Sequence, residues 1–101
     1  MTEVTVYQRE NVVTDIVVDG HAKFGEEGQD IICAGISAIC TTTYFTMERF
    51  LNYDCLKTGG DGYLHFHFQD DEKSQLIAGS LITGLHWIST KYPENISLKV
   101  A

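Results

Sequence analysis

Three stretches of this 101-residue chain alternate between apolar and polar side chains, and this pattern limits the possible fold more than any other feature. Residues 3–9, 63–69 and 96–100 each place apolar side chains on one face and polar side chains on the other. Such alternation is typical of strands that bury one face only. Residues 12–19, which are rich in Val and Ile, and residues 53–57 are predicted as two further strands.

Two longer segments carry apolar residues at helical spacing. Residues 31–51 predict one helix, and a break at the threonine run 41–43 is the alternative because threonine is a poor helix former. Residues 72–91 predict a second helix, which Pro93 ends. The residues predicted to be buried are Ile32, Ile36, Ile39, Met47 and Phe50 in the first helix and Leu76, Ile77, Leu81, Leu85 and Ile88 in the second.

The predicted order of elements is ββαββαβ. Turn signals at Glu10 and Asn11, and in the glycine-rich segment 59–62, predict that each adjacent pair of strands forms a hairpin. Because the strands are one-sided, both helices are expected to cover the same face of a largely antiparallel sheet. The sequence therefore predicts an α+β two-layer sandwich in which residues 1–101 form a single domain.

Composition and charge argue against several classes of function. Seven scattered basic residues against 14 acidic ones give a net charge of −7, which disfavours nucleic-acid binding. The N-terminus does not resemble a signal peptide, and no stretch is predicted to span a membrane. Three cysteines cannot all pair in disulfides, which favours a reducing compartment. The expectation is a cytoplasmic protein with no cofactor, no metal, no nucleic-acid partner and no membrane association.

A histidine and a cysteine lie on either side of a short glycine-containing loop. Asp30 is a residue type preferred at helix N-caps, and a cap there would make Cys33 the third helical residue. The helix dipole would then favour the reactive thiolate, although a helix terminus contributes only about 0.3–1 kcal/mol. Strong activation needs a cationic neighbour, and His21 is the candidate. The two side chains could form a Cys–His pair for nucleophilic catalysis.

Simpler structural interpretations of these residues stay open. Cys33 could be a small core residue and His21 a turn residue, while Asp30 could cap the helix without taking part in chemistry or could orient His21. Ser37 lies one helical turn beyond Cys33, where it could line the site or form a local hydrogen bond.

Two other cysteines and a pair of histidines are more easily explained as structural. Cys40 and Cys55 are predicted to pack in the interior. His65 and His67 point to the same side of a predicted strand and could bind a metal together with Cys55 on the paired strand. The favoured alternative is a polar sheet surface or a wall that faces a substrate.

The segments 19–22 and 28–38 together resemble the bacterial ribosomal-processing cysteine protease family, Prp. They contain the pattern GHA followed by G-x-D-x-x-C-A-x-x-S-A, which is specific at this spacing. Segments 52–54, 62–67 and 92–96 also look similar to that family. The resemblance covers nearly the whole chain.

This resemblance implies a homodimeric cysteine endopeptidase in which Cys33 is the nucleophile and His21 the general base and acid. The family's recurrent Asp and Ser fall on Asp30 and Ser37. The implied substrate is the N-terminal extension of large-subunit ribosomal protein twenty-seven, which the family cuts after a pair of aromatic residues in support of ribosome assembly.

The loop between His21 and Cys33 is expected to be mobile and to order over substrate. The residues expected to contact the peptide are Gly20, Ala22, Phe24 and Ala34, with Gly35 and Ala38 beside them. The alternative is a ribosome-associated module that binds the extension without cutting it.

Overall fold

A computed structural model describes residues 1–20, 29–60 and 62–101 of the chain, except for the side chains of Gln29 and Asp30. These residues form five strands and two helices in the predicted order ββαββαβ. The elements are β1 (Thr2–Arg9), β2 (Val12–Asp19), α1 (Gln29–Leu51), β3 (Leu56–Gly60), β4 (Tyr63–His67), α2 (Glu72–Lys91) and β5 (Ile96–Val100).

The strands form one sheet in the order β3-β4-β2-β1-β5. All neighbouring pairs are antiparallel except β1 and β5, which run parallel. The predicted one-sided strands are confirmed, since Val4, Ile16 and Phe66 are almost completely buried in one core with residues of both helices. Both helices therefore cover the same face of the sheet, and the predicted α+β two-layer sandwich is confirmed.

The ends of β1, β2 and α2 follow the local sequence signals. Glu10 and Asn11 have φ angles of 53° and 70°, as a tight turn between two antiparallel strands requires. The carboxylate of Asp71 accepts a 2.8 Å hydrogen bond from the Ser74 amide and caps the start of α2. The helix ends at Lys91, two residues before Pro93, as predicted.

The predicted buried faces of the helices are correct except at two positions. Phe50 and Leu76 are each 74% exposed, so their assignment to the core is wrong. Cys40 and Ala78 are buried on the core-facing sides of α1 and α2. The predicted helix over residues 31–51 is confirmed, and the alternative, a break at the threonine run, is not observed. The Thr43 hydroxyl donates a 2.9 Å hydrogen bond to the Ile39 carbonyl within the continuous helix.

The third strand lies three residues further along the chain than predicted. It begins at Leu56, and its last two residues, Gly59 and Gly60, pair with Leu64 and Tyr63 of β4. Gly59 and Gly60 belong to a glycine-rich segment whose composition predicts a turn. Here they continue the ladder, and the hairpin connection contains only residues 61 and 62.

The expectation that no stretch could span a membrane needs correction for α1. Between Ile31 and Leu51 this helix is long and apolar enough to cross a membrane by length and composition alone. Core helices of globular proteins can be equally long and apolar, and Ile36 and Met47 of α1 are completely buried in the core. The feature is therefore weak evidence for a membrane segment.

Candidate active site

A cavity of about 420 Å³ lies between α1 and the β3–β4 hairpin. Its helical wall consists of Cys33, Ser37, Cys40, Thr41, Tyr44 and Phe45, and its other wall of Leu56, Gly60, Gly62, Leu64 and Phe66. The helical residues follow one another at intervals that keep them on one side of α1. Along α1 the wall passes from the small side chains of Cys33 and Ser37 to the aromatic rings of Tyr44 and Phe45. The largely apolar lining suits an apolar side chain of a bound molecule.

The three cysteines differ in how much of each side chain is exposed. Cys33 is partly exposed and lines the cavity, whereas Cys40 and Cys55 are 2% and 0% exposed. Burial raises the pKa of the Cys40 thiol to about 12. Burial likewise raises the pKa of Cys55, to about 11. Neither buried thiol forms an appreciable amount of thiolate near neutral pH, so Cys33 is the cysteine best placed to meet a substrate.

The start of α1 differs from the prediction in a way that affects Cys33. The helix begins at Gln29, so Asp30 lies in the first turn instead of at the N-cap. Cys33 is then the fifth helical residue, just beyond the four residues whose amides lack partners within the helix. Because the dipole effect decays within the first turn, the helix contributes less to activation of Cys33 than the sequence indicated. A cationic neighbour becomes correspondingly more important.

His21, the predicted partner of Cys33, lies outside the described residues, as do Ala22, Phe24 and most of the loop predicted to be mobile. Gly20, immediately before that segment, is described. Its amide donates a 2.7 Å hydrogen bond to the carbonyl of Gly62, a residue that lines the Cys33 cavity. Its φ of +91° favours glycine, and an added Cβ would lie 2.6 Å from the Met1 carbonyl oxygen. The segment that carries His21 therefore starts from a point tied to the cavity wall.

The predicted site residues on α1 divide between two sides of the helix. Ser37 lines the cavity with Cys33. Ala34 is exposed, Gly35 faces Ile88 of α2, and Ala38 lines a separate groove between the helices. None of these three small residues borders the cavity beside Cys33. A role for them in receiving the peptide stays a prediction.

A cluster on the other face of the sheet was only partly predicted. The Asp15 carboxylate oxygen Oδ2 lies 2.7 Å from His65 Nε2 and 3.3 Å from His67 Nδ1. The sequence does not single out Asp15 as a partner of the histidines, because the pairing of β2 with β4 brings together residues that are about 50 positions apart. The only sequence feature that marks Asp15 is its polar position in a strand rich in Val and Ile.

The metal site proposed from His65, His67 and Cys55 is not assembled. Cys55 is completely buried in the core, whereas the histidines contact Asp15. Within residues 1–20, 29–60 and 62–101, no group of three or more His, Cys, Asp or Glu side chains could hold a metal ion.

Comparison with known proteins relates both the sequence and the fold to one family. The family described as cysteine protease Prp matches residues 1–97. A ribosomal processing cysteine protease Prp from Staphylococcus aureus is 39% identical over 88% of each chain, and one from Bacillus subtilis is 31% identical over 76% of each. Crystal structures of the S. aureus protease with a substrate peptide and with a covalently linked product peptide cover 100% of both chains. Their TM-scores are 0.83 and 0.81, at 28% and 29% identity.

Proposed function

The chain belongs to the cysteine protease Prp family, and from this premise we propose that it is an endopeptidase with Cys33 as nucleophile and His21 as general base and acid. The observation that carries the proposal is the position of Cys33, a partly exposed thiol that borders a cavity of about 420 Å³. The family's recurrent cysteine also falls on this residue.

In the proposed reaction, His21 takes the proton of Cys33, and the thiolate sulfur attacks the scissile carbonyl carbon. The carbon–nitrogen bond of the tetrahedral intermediate breaks, and the protonated His21 gives its proton to the departing amine. The remaining acyl group is a thioester on Cys33. A water molecule then attacks the thioester with His21 as base, which releases the carboxylate product and the free thiol.

The proposed substrate is the N-terminal extension of large-subunit ribosomal protein twenty-seven. Support comes from the relatives named ribosomal processing proteases and from the S. aureus structure with a substrate peptide. The walls formed by Tyr44, Phe45 and Phe66 suit the aromatic residues after which the family cuts, because aromatic rings pack favourably edge to face or offset. The acidic chain, with its net charge of −7, suits a basic ribosomal substrate.

Several other residues are assigned supporting roles in this proposal. Ser37 lines the cavity one turn from Cys33 and would contact the bound peptide. Asp30, in the first turn of α1, would orient His21. Gly20, Ala22, Phe24 and Ala34 would contribute to peptide binding. We further propose that the whole chain acts as one catalytic domain in a cytoplasmic homodimer.

The direct test is incubation of the purified chain with a peptide that spans the extension and its junction with the mature protein. Mass spectrometry should detect two shorter fragments whose masses add up to that of the substrate plus one water. The substitutions Cys33→Ala and His21→Ala should each lower the rate by at least about a thousandfold, because removal of one member of a catalytic unit disables the whole unit.

Cys55→Ala is the matched control, because this cysteine is buried in the core and does not line the cavity. It should keep most of the activity under conditions in which circular dichroism shows a folded protein. If the Cys33→Ala variant still cleaved the peptide, Cys33 would not be the nucleophile. An intact peptide that nevertheless binds the wild-type chain would favour the non-catalytic binding module.

A further inference from the structure

The strand β3 forms one outer edge of the sheet and pairs with β4 alone among the described strands. Four of its five residues are exposed. Its last two residues are glycines, so no side chain covers the backbone there. An outermost strand leaves alternate N–H and C=O groups without partners, which makes it a template for another extended chain.

The register of the hairpin identifies which of these backbone groups point outward. Gly60 pairs with Tyr63 across a two-residue connection, and the residues that flank such a connection exchange their hydrogen bonds with each other. The next pair, Gly59 and Leu64, is then the non-hydrogen-bonded kind. The N–H and C=O of Gly59 therefore point away from β4, toward the outer edge of the sheet formed by the described strands.

This edge is continuous with the cavity that contains Cys33. Leu56 and Gly60, at the two ends of β3, both line the cavity. An added Cβ at Gly59 would lie 2.7 Å from Leu56 Cδ2 and 3.7 Å from Leu64 Cδ2, so this glycine keeps space free beside the cavity wall. A strand laid along β3 would direct every second side chain toward the α1 side of the sheet, where the cavity lies.

We propose that an extended segment of the substrate peptide binds as an additional strand on the outer edge of β3, hydrogen-bonded to the backbone of Gly59. This inference rests on the proposed function and extends it. Backbone pairing would supply affinity for any extended peptide, and the cavity would select the alternate side chains. The occupant is a substrate segment because the edge leads directly to the Cys33 cavity. The opposite edge strand, β5, contributes no residue to this cavity.

The first test uses substrate peptides that each carry one N-methyl group on a successive backbone nitrogen. Their dissociation constants are measured by fluorescence anisotropy with the Cys33→Ala variant, so that binding is separate from cleavage. Edge pairing predicts a period of two, in which affinity falls roughly fivefold or more at alternate positions, since each N-methyl group there removes one hydrogen bond. A uniform effect or no effect along the segment overturns the inference.

The second test compares Gly59→Pro with Gly59→Ala in the same Cys33→Ala background. Both substitutions introduce the Cβ that contacts Leu56, but only proline removes the outward N–H. The proline variant should bind the unmodified peptide roughly fivefold more weakly than the alanine variant. Equal affinities of two folded variants overturn the inference. A shift in oligomeric state with unchanged peptide affinity also overturns it, because the edge would then pair with a second copy of the chain.

These experiments separate the inference from the proposed function. Alternating affinities in the peptide series, with no cleavage by the wild-type chain, would support edge binding and contradict the proposed protease. Cleavage by the wild-type chain, with affinities that do not alternate along the peptide series, would support the proposed protease and contradict edge binding.

Discussion

At the scale of single residues, the surroundings of each cysteine decide what its thiol can do. Cys33 and Cys40 both lie on the cavity side of α1, but only Cys33 is partly exposed. Burial raises the pKa of Cys40 to about 12, so this thiol serves as an apolar wall. The spacing places both residues on the same side of one helix, and only the nearness of Cys33 to the helix start predicts their different roles. Their different exposure follows from how α1 lies against the β3–β4 hairpin.

Asp15 supplies a prediction about pH. Its partial burial raises the pKa, but hydrogen bonds with His65, Thr14 and His67 outweigh this effect and hold the pKa of Asp15 below its ordinary value. A carboxylate with a lowered pKa stabilises the fold above its unfolded-state pKa of about 3.9, and this contribution is lost as the pH falls through the folded value. Asp15→Asn should therefore lower the free energy of unfolding by roughly 0.5–1 kcal/mol near neutral pH.

Urea unfolding at neutral pH and at about pH 3 checks this prediction, since Asp15 is increasingly protonated at the lower pH. The difference between the wild-type chain and Asp15→Asn should shrink as the medium becomes acidic. Asp54→Asn is a suitable control because Asp54 is exposed and its side chain accepts a hydrogen bond from the Leu56 amide without a histidine partner. A difference for Asp15→Asn that is independent of pH would show that its charge does not stabilise the fold.

At the scale of elements, the sequence was most informative where local signals decide the structure. The helix α2 has its predicted ends because the Asp71 cap and Pro93 act locally. The sequence predicts β3 three residues too early because the pairing of its two glycines depends on a cross-strand register that only the partner strand reveals. The contact of Asp15 with His65 depends on the same kind of long-range pairing. The position of Cys33 at a candidate site followed from its motif, but the cavity beside it required the packing of α1.

Two glycines in α2 test how packing modifies helix propensity. An added Cβ at Gly79 would meet nothing within 4 Å, whereas one at Gly84 would lie 3.0 Å from Ile39 Cδ1 of α1. Gly79→Ala should therefore stabilise the chain by about 1 kcal/mol, the helix-propensity gain. Gly84→Ala should gain at least about 0.5 kcal/mol less, because Ile39 must shift. Urea unfolding of both variants measures the difference, and equal gains would show that the helix interface accommodates the extra methyl group freely.

At the scale of the whole molecule, the two-layer fold places a cavity between the helical layer and one edge of the sheet. The chain carries a net charge of −7, which attracts basic peptides over distances comparable to the Debye length. The proposed function therefore combines a local apolar cavity with a long-range preference for positively charged substrates.

This combination predicts salt-dependent cleavage. The ratio kcat/KM for a lysine-containing substrate peptide should fall severalfold as ionic strength rises from about 0.05 to about 0.5 M, because salt screens the attraction. A peptide of equal length with its lysines replaced by glutamine should be much less sensitive. Equal salt dependence of the two peptides would mean that the net charge of the chain plays no part in substrate capture.

The central claim, that the Cys33 thiol performs the reaction, is tested most directly by partial alkylation. The chain is treated with iodoacetamide near neutral pH, and each sample is divided between a peptide-cleavage assay and mass-spectrometric mapping of the three cysteines. Cys33 should react far faster than Cys40 and Cys55, whose pKa values are raised to about 12 and about 11. The fraction of activity lost should equal the fraction of Cys33 modified. Full activity in a sample whose Cys33 is completely alkylated would contradict the account.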